Sequence, residues 1–595
     1  MGLAAAAAIV FTLSDAAGVR HTSAELDGAR ATVLAFIGSE CPISNAYAPE
    51  LARIAAEYSP RGVRFFAVES DPAATSDSAR GHARAYALPF PVLLDPKQSL
   101  ARQTGATRTL EAVVLAPGGR VVYRGRVDDR ILDFGKVRPR AVRRDLRLAL
   151  DEELAGVPVS VPETRAIGCA IPFPPATPTA GGVTFAQDVA PILYRHCAAC
   201  HRPGESAPFA LLTYADAAKR AALVAAVTAS RYMPPWLPVP GYGAFQHERR
   251  LTEAEIATLH RWADAGAPEG DRAQIPPAPP PPSADLGKPD LSVEMRASFS
   301  VPAEGPDLYR CFAVPLALDR DRYVRALDIR PGDRRVAHHA ILFQDLTGTA
   351  RRRDTGEGYE CFGSPGFLPA RGLGGWTPGS PVLRMAEGSP ETLHQGADLV
   401  LQMHYHPTGK PETDRTRVDL YFTGRPPTRR VIDVALGSTA IDIPPGERQY
   451  KVTDHFTLPV AVDAIGIIPH AHYVCRQMKA WALLPDGRRR WLLWIRDWNF
   501  NWQDQYRYRA PVRLPADTRV EMEFIYDNSD GNPRNPNQPP RRVRWGPGSA
   551  DEMAGLHLQV VTVRADDAEE LGQALWGKMM RSLGGGIYRP PEPPR

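Results

Sequence analysis

Five histidines and one methionine stand in four short segments of the 595-residue chain. They are His338 and His339 in VAHHAILF, His404 in LQMHYHPTG, His470 and His472 in PHAHYV, and Met553 in SADEMAG. Imidazole suits either oxidation state of copper, and a thioether sulfur favours Cu(I). Three imidazoles, then two imidazoles and a thioether, are what two unlike copper sites require. An unlike pair points to redox chemistry with dioxygen rather than to a structural metal. His470 and His472 are two apart in a strand-like stretch, so both rings are predicted on one face. Met553 would then come from the start of a neighbouring strand, LHLQVVTV. His338 and His339 are adjacent and would point to opposite faces of a regular strand, so joint ligation requires a bulge or twist. His406 competes with His404 as the third ligand of that set.

Two further segments carry chemistry. Cys197-Ala198-Ala199-Cys200-His201 has the spacing of c-type haem attachment, two thioethers followed by an axial imidazole. Downstream, Met233 in RYMPPW is the candidate sixth ligand, and a Met/His axial pair suits electron transfer. A zinc site is the competing reading of the cysteine motif, and a core methionine that of Met233. His196, His247 and His260 read as surface or core residues. Cys41 closes a strand in LAFIGSECPIS where a helix begins, and a helix N-terminus stabilises thiolate. That segment resembles thioredoxin-like redoxins, with Ser44 in place of their second cysteine and Leu110 in place of their cis-proline. Cys169 is a distant candidate partner. The unit is a thiol donor, a peroxide reductant, a metallochaperone-like module, or a docking domain without thiol chemistry.

The elements that must position these groups fall into units separated by proline-rich stretches, Pro172–Gly182 and Ile275–Pro289. The length exceeds what one core supports. Residues 1–171 alternate strand and helix patterns and read as an α/β thioredoxin-like domain. Residues 183–270 read as a small all-α cytochrome c domain, and 271–290 as a linker. Two all-β, jelly-roll-like sandwiches follow at 291–425 and 430–566, with a helix and tail at 567–595. A net charge of +4 gives no reason to invoke nucleic acid, and no apolar run is long enough for a membrane span. Residues 1–10 are apolar but lack a basic flank and a cleavage site, so a signal peptide is not evident.

Around the histidines a wider set of motifs resembles the type II copper, ascorbate-dependent monooxygenases, the peptidylglycine and dopamine hydroxylating group. Tyr309-Arg310-Cys311 precedes His338-His339. Gly374-Gly375-Trp376 looks like the family's Trp-containing loop before the His404-Tyr405-His406 strand, and Asp551-Glu552-Met553 looks like its Asp-Glu-Met. The likeness spans roughly residues 291–566. It implies two copper ions, an electron-storage site on His338, His339 and His404 and an oxygen-binding site on His470, His472 and Met553. It implies hydroxylation of a C–H bond of a small organic substrate with O2, with an ascorbate-like reductant or redox protein as external donor; the attached haem motif, read separately, suggests one haem c feeding electrons inward. The peptide-amidating branch holds a substrate carboxylate with Arg, Asn and Tyr where Ile468, Gly555 and His557 stand here, which disfavours a glycine-extended peptide. Metal and haem motifs together imply a periplasmic or otherwise exported protein. In that oxidising setting Cys311 and Cys361, both in the first copper sandwich, are expected to form a disulfide, leaving Cys475 odd. The alternative is an electron-transfer or copper-handling protein without hydroxylase turnover.

Overall fold

The computed structural model describes residues 8–138, 140–171, 182–281, 284–367, 371–546 and 548–584. The apolar start before residue 8, the stretch 172–181 and the tail after 584 lie outside the described residues.

The N-terminal unit is built on a five-stranded sheet in the order Val92–Leu94, Val63–Glu69, Ala31–Ile37, Glu111–Leu115 and Val121–Gly125. All seven residues of Ala31–Ile37 are buried, as an unbroken apolar run in a sheet covered on both faces requires. It runs parallel to Val63–Glu69 and antiparallel to Glu111–Leu115. Leu51, Ile54, Ala55 and Tyr58 form the buried stripe of the helix Ala48–Tyr58, at the spacing of one helical face. This is the thioredoxin-like arrangement expected of the segment.

The next unit is helical. A π-turn over Phe185–Val189 leads into Ala190–His196, followed by Tyr214–Ala218, Ala221–Ala229 and Glu253–Asp264. Thr252 and Glu255 close a capping box at the start of the last helix. Phe185, Leu193, Leu259 and Trp262 meet in its core.

Two sandwiches follow. In the first, a sheet ordered Leu291–Glu294, Arg417–Thr423, Arg322–Arg330 and Leu383–Arg384 faces a second sheet. That second sheet is ordered Tyr359–Glu360, Leu308–Pro315, Asp398–Tyr405, Ala337–Asp345 and Arg371–Trp376. Leu327, Ile329, Leu342 and Leu401 fill the space between them. In the second sandwich, Val431–Gly437, Gly555–Thr562, Val462–His470 and Tyr506–Leu514 form one layer. Tyr450–Thr457, Arg519–Tyr526, Cys475–Leu483 and Arg489–Ile495 form the other. Alternate residues of Arg519–Tyr526 are buried, the pattern of a sheet with one face on the core. The helix Asp567–Gly584 packs on this sandwich through the buried Leu571 and a Lys578–Asp454 ion pair.

Two local expectations change. Gly374-Gly375-Trp376 is not a loop; it belongs to a strand paired with the His338 strand, Trp376 opposite Ala340. The glycines allow the close approach: a Cβ on Gly375 would lie 2.5 Å from the Ala340 carbonyl oxygen. The strand carrying His470 ends there, so His472 lies in the following turn rather than two places along the strand.

The units are packed together. Phe245 of the helical unit bridges to Tyr508 and joins the core of the second sandwich. Arg334 of the first sandwich pairs with Glu205, and Arg53 of the N-terminal unit with Glu304. No helix among the described residues is long and apolar enough to cross a membrane.

Candidate metal centre and thiol site

His338 and His339 reach one place because the backbone is irregular there. The pairing of the His338 strand with Asp398–Tyr405 shifts register between Ala337 and His339, the bulge the sequence called for. One ring nitrogen each from His338, His339 and His404 lies within 4.8 Å of the others, the only such cluster of at least three His, Cys, Asp or Glu side chains among the described residues. The Nδ1 atoms of His338 and His404 stand 3.2 and 3.3 Å from His339 Nδ1. Burial holds all three imidazoles neutral, the form a metal ligand needs.

Asp307, which sequence reasoning missed, decides between His404 and His406. His404 donates through Nε2 to Asp307 (2.9 Å), so its Nδ1 lone pair faces the cluster. His406 donates through Nδ1 to the other carboxylate oxygen (2.8 Å), and its side chain is 65 % exposed. His406 therefore supports the site from outside. Burial alone would raise the Asp307 carboxyl; the two histidines outweigh it and hold it far below the usual range. Asp307→Asn is expected to weaken copper binding at this cluster by ~10–100-fold, as outer-shell changes do. Competition against a chromophoric Cu(I) chelator measures it, and an unchanged affinity would remove Asp307 from the site.

The second set gathers at the top of the other sandwich. The rings of His470 and His472 are 5.2 Å apart. His470 donates through Nδ1 to Gln503 Oε1 (2.7 Å), and His472 through Nδ1 to the Asp551 carbonyl (3.1 Å). Each ring thereby turns its Nε2 lone pair outward, and His472 Nε2 is buried with no hydrogen-bond partner. Burial pushes the His472 imidazole down to about 3. Met553 lies two residues before its strand, not within it. The buried Glu552 ties it in place, accepting from the backbone N–H groups of His472, Val474 (3.1 Å) and Met553 (2.9 Å).

The two sets face each other through aromatic rings. Phe500 lies 6.4 Å from His338 and 5.5 Å from His472. Tyr309 stacks on His404 at 4.2 Å and meets Phe362 at 4.4 Å; Phe362 in turn lies 6.1 Å from His472. Phe362 sits beside the Cys311–Cys361 disulfide, which forms as expected. The aromatic stretch 491–508 reads as core strand, yet it delivers Phe500 and Gln503 to the centre. Cys475 is fully buried, and burial pushes its thiol up, so it is inert. The donor types fit copper: three imidazoles converge at one point, and at the other two imidazole rings lie 5.2 Å apart with Met553 on the segment tied to them through Glu552.

For haem, Cys197 and Cys200 are free thiols on one helical turn, with His201 N–H donating to Cys197 O (2.9 Å). His201 Nδ1 donates to the Phe209 carbonyl (3.0 Å), leaving Nε2 for a metal. Met233 follows the helix Ala221–Ala229, anchored by its N–H on Val227 O (3.0 Å). These are the donors a covalent haem needs. The motif abuts the first sandwich: a Cβ on Gly379 would lie 2.5 Å from Cys200 Sγ.

Cys41 caps the helix Pro42–Ala46, as predicted. Thr109, next to Leu110, donates its hydroxyl to Cys41 Sγ (3.0 Å), and Ser44 N–H donates at 3.5 Å. Burial would raise the Cys41 thiol, but hydrogen bonds from the Cys169 thiol, Thr109, and the Ser44 and Cys169 backbone lower it from 9.0 to about 6. Cys169 moves the opposite way, chiefly because of the neighbouring Cys41. Alkylation of Cys41 is thus expected to rise through about pH 6 rather than pH 9. Because the folded value is the lower one, the thiolate's contribution to stability is present above pH 9.0 and lost as the pH falls through about 6. Peptide mapping after timed alkylation across that range tests this; a rise only near pH 9 contradicts it.

Comparison with known proteins bears on this unit. Residues 4–124 match the AhpC/TSA family model. The chain is similar to a hypothetical protein from Sinorhizobium meliloti, 32% identical over 30% of this chain and 97% of that one, TM-score 0.27. A conserved protein from Geobacillus kaustophilus is 29% identical over 30% and 95%, TM-score 0.27. A secreted Mycobacterium tuberculosis disulfide oxidoreductase is 25% identical over 19% and 79%, TM-score 0.17. No curated protein matches the chain. The AhpC/TSA match lies within the thioredoxin-like unit and stops before the helical unit and both sandwiches.

Proposed function

We propose that the chain is an exported copper-dependent monooxygenase that hydroxylates a C–H bond of a small organic substrate with O2. One observation carries the reading: two histidine sets of different composition face each other across Phe500. Copper bound there would supply one-electron redox chemistry and dioxygen activation. His338, His339 and His404 would hold the electron-storing ion; His470, His472 and Met553 would hold the oxygen-binding one. Asp307, Gln503 and the Asp551 carbonyl fix which ring nitrogen each of His404, His470 and His472 presents. Phe362 and Phe500 set aromatic rings between the sets. Cys197 and Cys200 would attach a haem, with His201 and Met233 as its candidate ligands, and that group would supply an electron-transfer centre beside the first sandwich.

The test is metal content and turnover of protein made with export and haem-maturation machinery. Two coppers and one iron per chain, with oxygen uptake matched by hydroxylated product in a substrate screen, are expected. Copper binding with oxygen uptake that yields only peroxide would favour an electron-transfer or copper-handling role. Iron with little copper would sink the monooxygenase reading and leave an electron-transfer or thiol function as the better account.

A further inference from the structure

The copper reading leaves Cys41 and Cys169 unused. Both are free thiols lining a cavity of about 710 Å³, the size of site that holds a small organic molecule. Cys169 is held in place by its backbone. Thr109 N–H donates to Cys169 O (2.8 Å), and Ile171 N–H to Thr107 O (2.9 Å), so residues 168–171 zip onto residues 107–109. A Cβ on Gly168 would lie 1.9 Å from Thr109 O, so only glycine allows this approach. The Thr109 hydroxyl touches both partners, donating to Cys41 Sγ and accepting the Cys169 N–H (3.1 Å). The Thr109 hydroxyl thus links the Cys41 sulfur to the Cys169 backbone, and both cysteines line the same cavity.

The helical unit roofs this place. Phe209, Ala218, Ala222 and Leu223 line the cavity opposite Cys41. Lys219 and Arg220 fasten the roof to Glu40, the residue before Cys41, and Lys219 also pairs with Asp71 (2.5 Å). None of Cys197, Cys200, His201 and Met233 lines the cavity, though Phe209, whose carbonyl accepts from His201, does. This placement of the helical unit over the thiols favours a small molecule over a disulfide carried on a folded protein.

We propose that Cys41 and Cys169 are a dithiol couple that reduces a small organic disulfide inside this cavity. Cys41 thiolate attacks one sulfur of R–S–S–R′, forming a mixed disulfide and releasing R′S⁻, which takes up the proton Cys41 gave to solvent. Cys169 then attacks Cys41 sulfur, its proton leaving with RS⁻ as RSH. Two protein thiols become one disulfide, and R–S–S–R′ becomes RSH and R′SH. An external dithiol restores the couple by the reverse exchange.

The experiment treats the reduced full-length chain with 2-hydroxyethyl disulfide, or with insulin, and maps the peptides. In the parent a linked Cys41–Cys169 peptide is expected. In Cys169→Ser the hydroxyethyl adduct on Cys41 should accumulate at least about tenfold over the parent, since the resolving thiol is gone. Insulin should react about tenfold or more slower than the small disulfide, its bond being shielded from the attacking thiol. Lys219→Ala/Arg220→Ala, which unfastens the roof, should speed it. No linked peptide, or equal adduct in parent and variant, overturns the couple. Insulin reduced as fast as the small disulfide, or unchanged in the unfastened variant, overturns the substrate class.

Discussion

His472→Ala is expected to leave the chain with one copper where the proposed function requires two, and to cut the proposed hydroxylation by more than the ~10–100-fold that outer-shell changes cost. The side chain is fully buried and its Nε2 has no protein partner, so alanine removes a ligand and leaves no substitute. The fold should survive, because the His472 backbone N–H still donates to Glu552 and keeps the Met553 segment tied. His338→Ala should remove the other copper with the same loss of turnover. His406→Ala, at a largely exposed side chain, should keep both. Copper per chain by elemental analysis, with circular dichroism to check the fold, decides it. Two coppers retained in His472→Ala would falsify the assignment of the second site.

The second large effect is on stability. Cys311 and Cys361 are separated by 50 residues, and freeing a loop of that length costs about 4 kcal/mol by the chain-entropy account. The double variant Cys311→Ser/Cys361→Ser should melt its sandwich roughly 8–16 °C lower at the usual ~2–4 °C per kcal/mol. The loss should also reach the site. Gln402 Nε2 donates to Ser364 O (3.1 Å) beside the disulfide, and Phe362 follows Cys361 directly. Freed from that anchor, Phe362 and the stacked Tyr309 lose their support, so copper should leave the His338 cluster before the His472 site. Calorimetry and chelator competition report the two effects separately. An unchanged melting profile would show that the two sheets hold the loop without the covalent tie.

Much of this centre was legible because its residues announce their own constraints. Two adjacent histidines can share a metal only if the strand breaks register, and it does, between Ala337 and His339. Cys41 at the end of its strand marks a helix start, and the helix Pro42–Ala46 begins there. What was not legible depends on contacts between distant segments. Asp307 reaches His404 across 97 positions, and nothing near Asp307 identifies it as a partner. Phe500 and Gln503 sit among tryptophans and tyrosines whose pattern suits a core strand equally well. His472 was placed on a strand by its spacing, but the strand stops at His470. Cys169 could be named as a partner for Cys41, but not the Thr109 zipper that brings it there.

The fastening of the helical roof has a consequence for handling the protein. Glu40 is about half exposed where it meets Lys219 and Arg220, and partly exposed charge pairs are screened by electrolyte, the Debye length falling from ~10 Å at 0.1 M to ~3 Å at 1 M. The seam over Cys41 is therefore tighter in dilute buffer than in concentrated salt. Added salt is thus expected to weaken these fastening pairs without touching the backbone hydrogen bonds that hold Cys169.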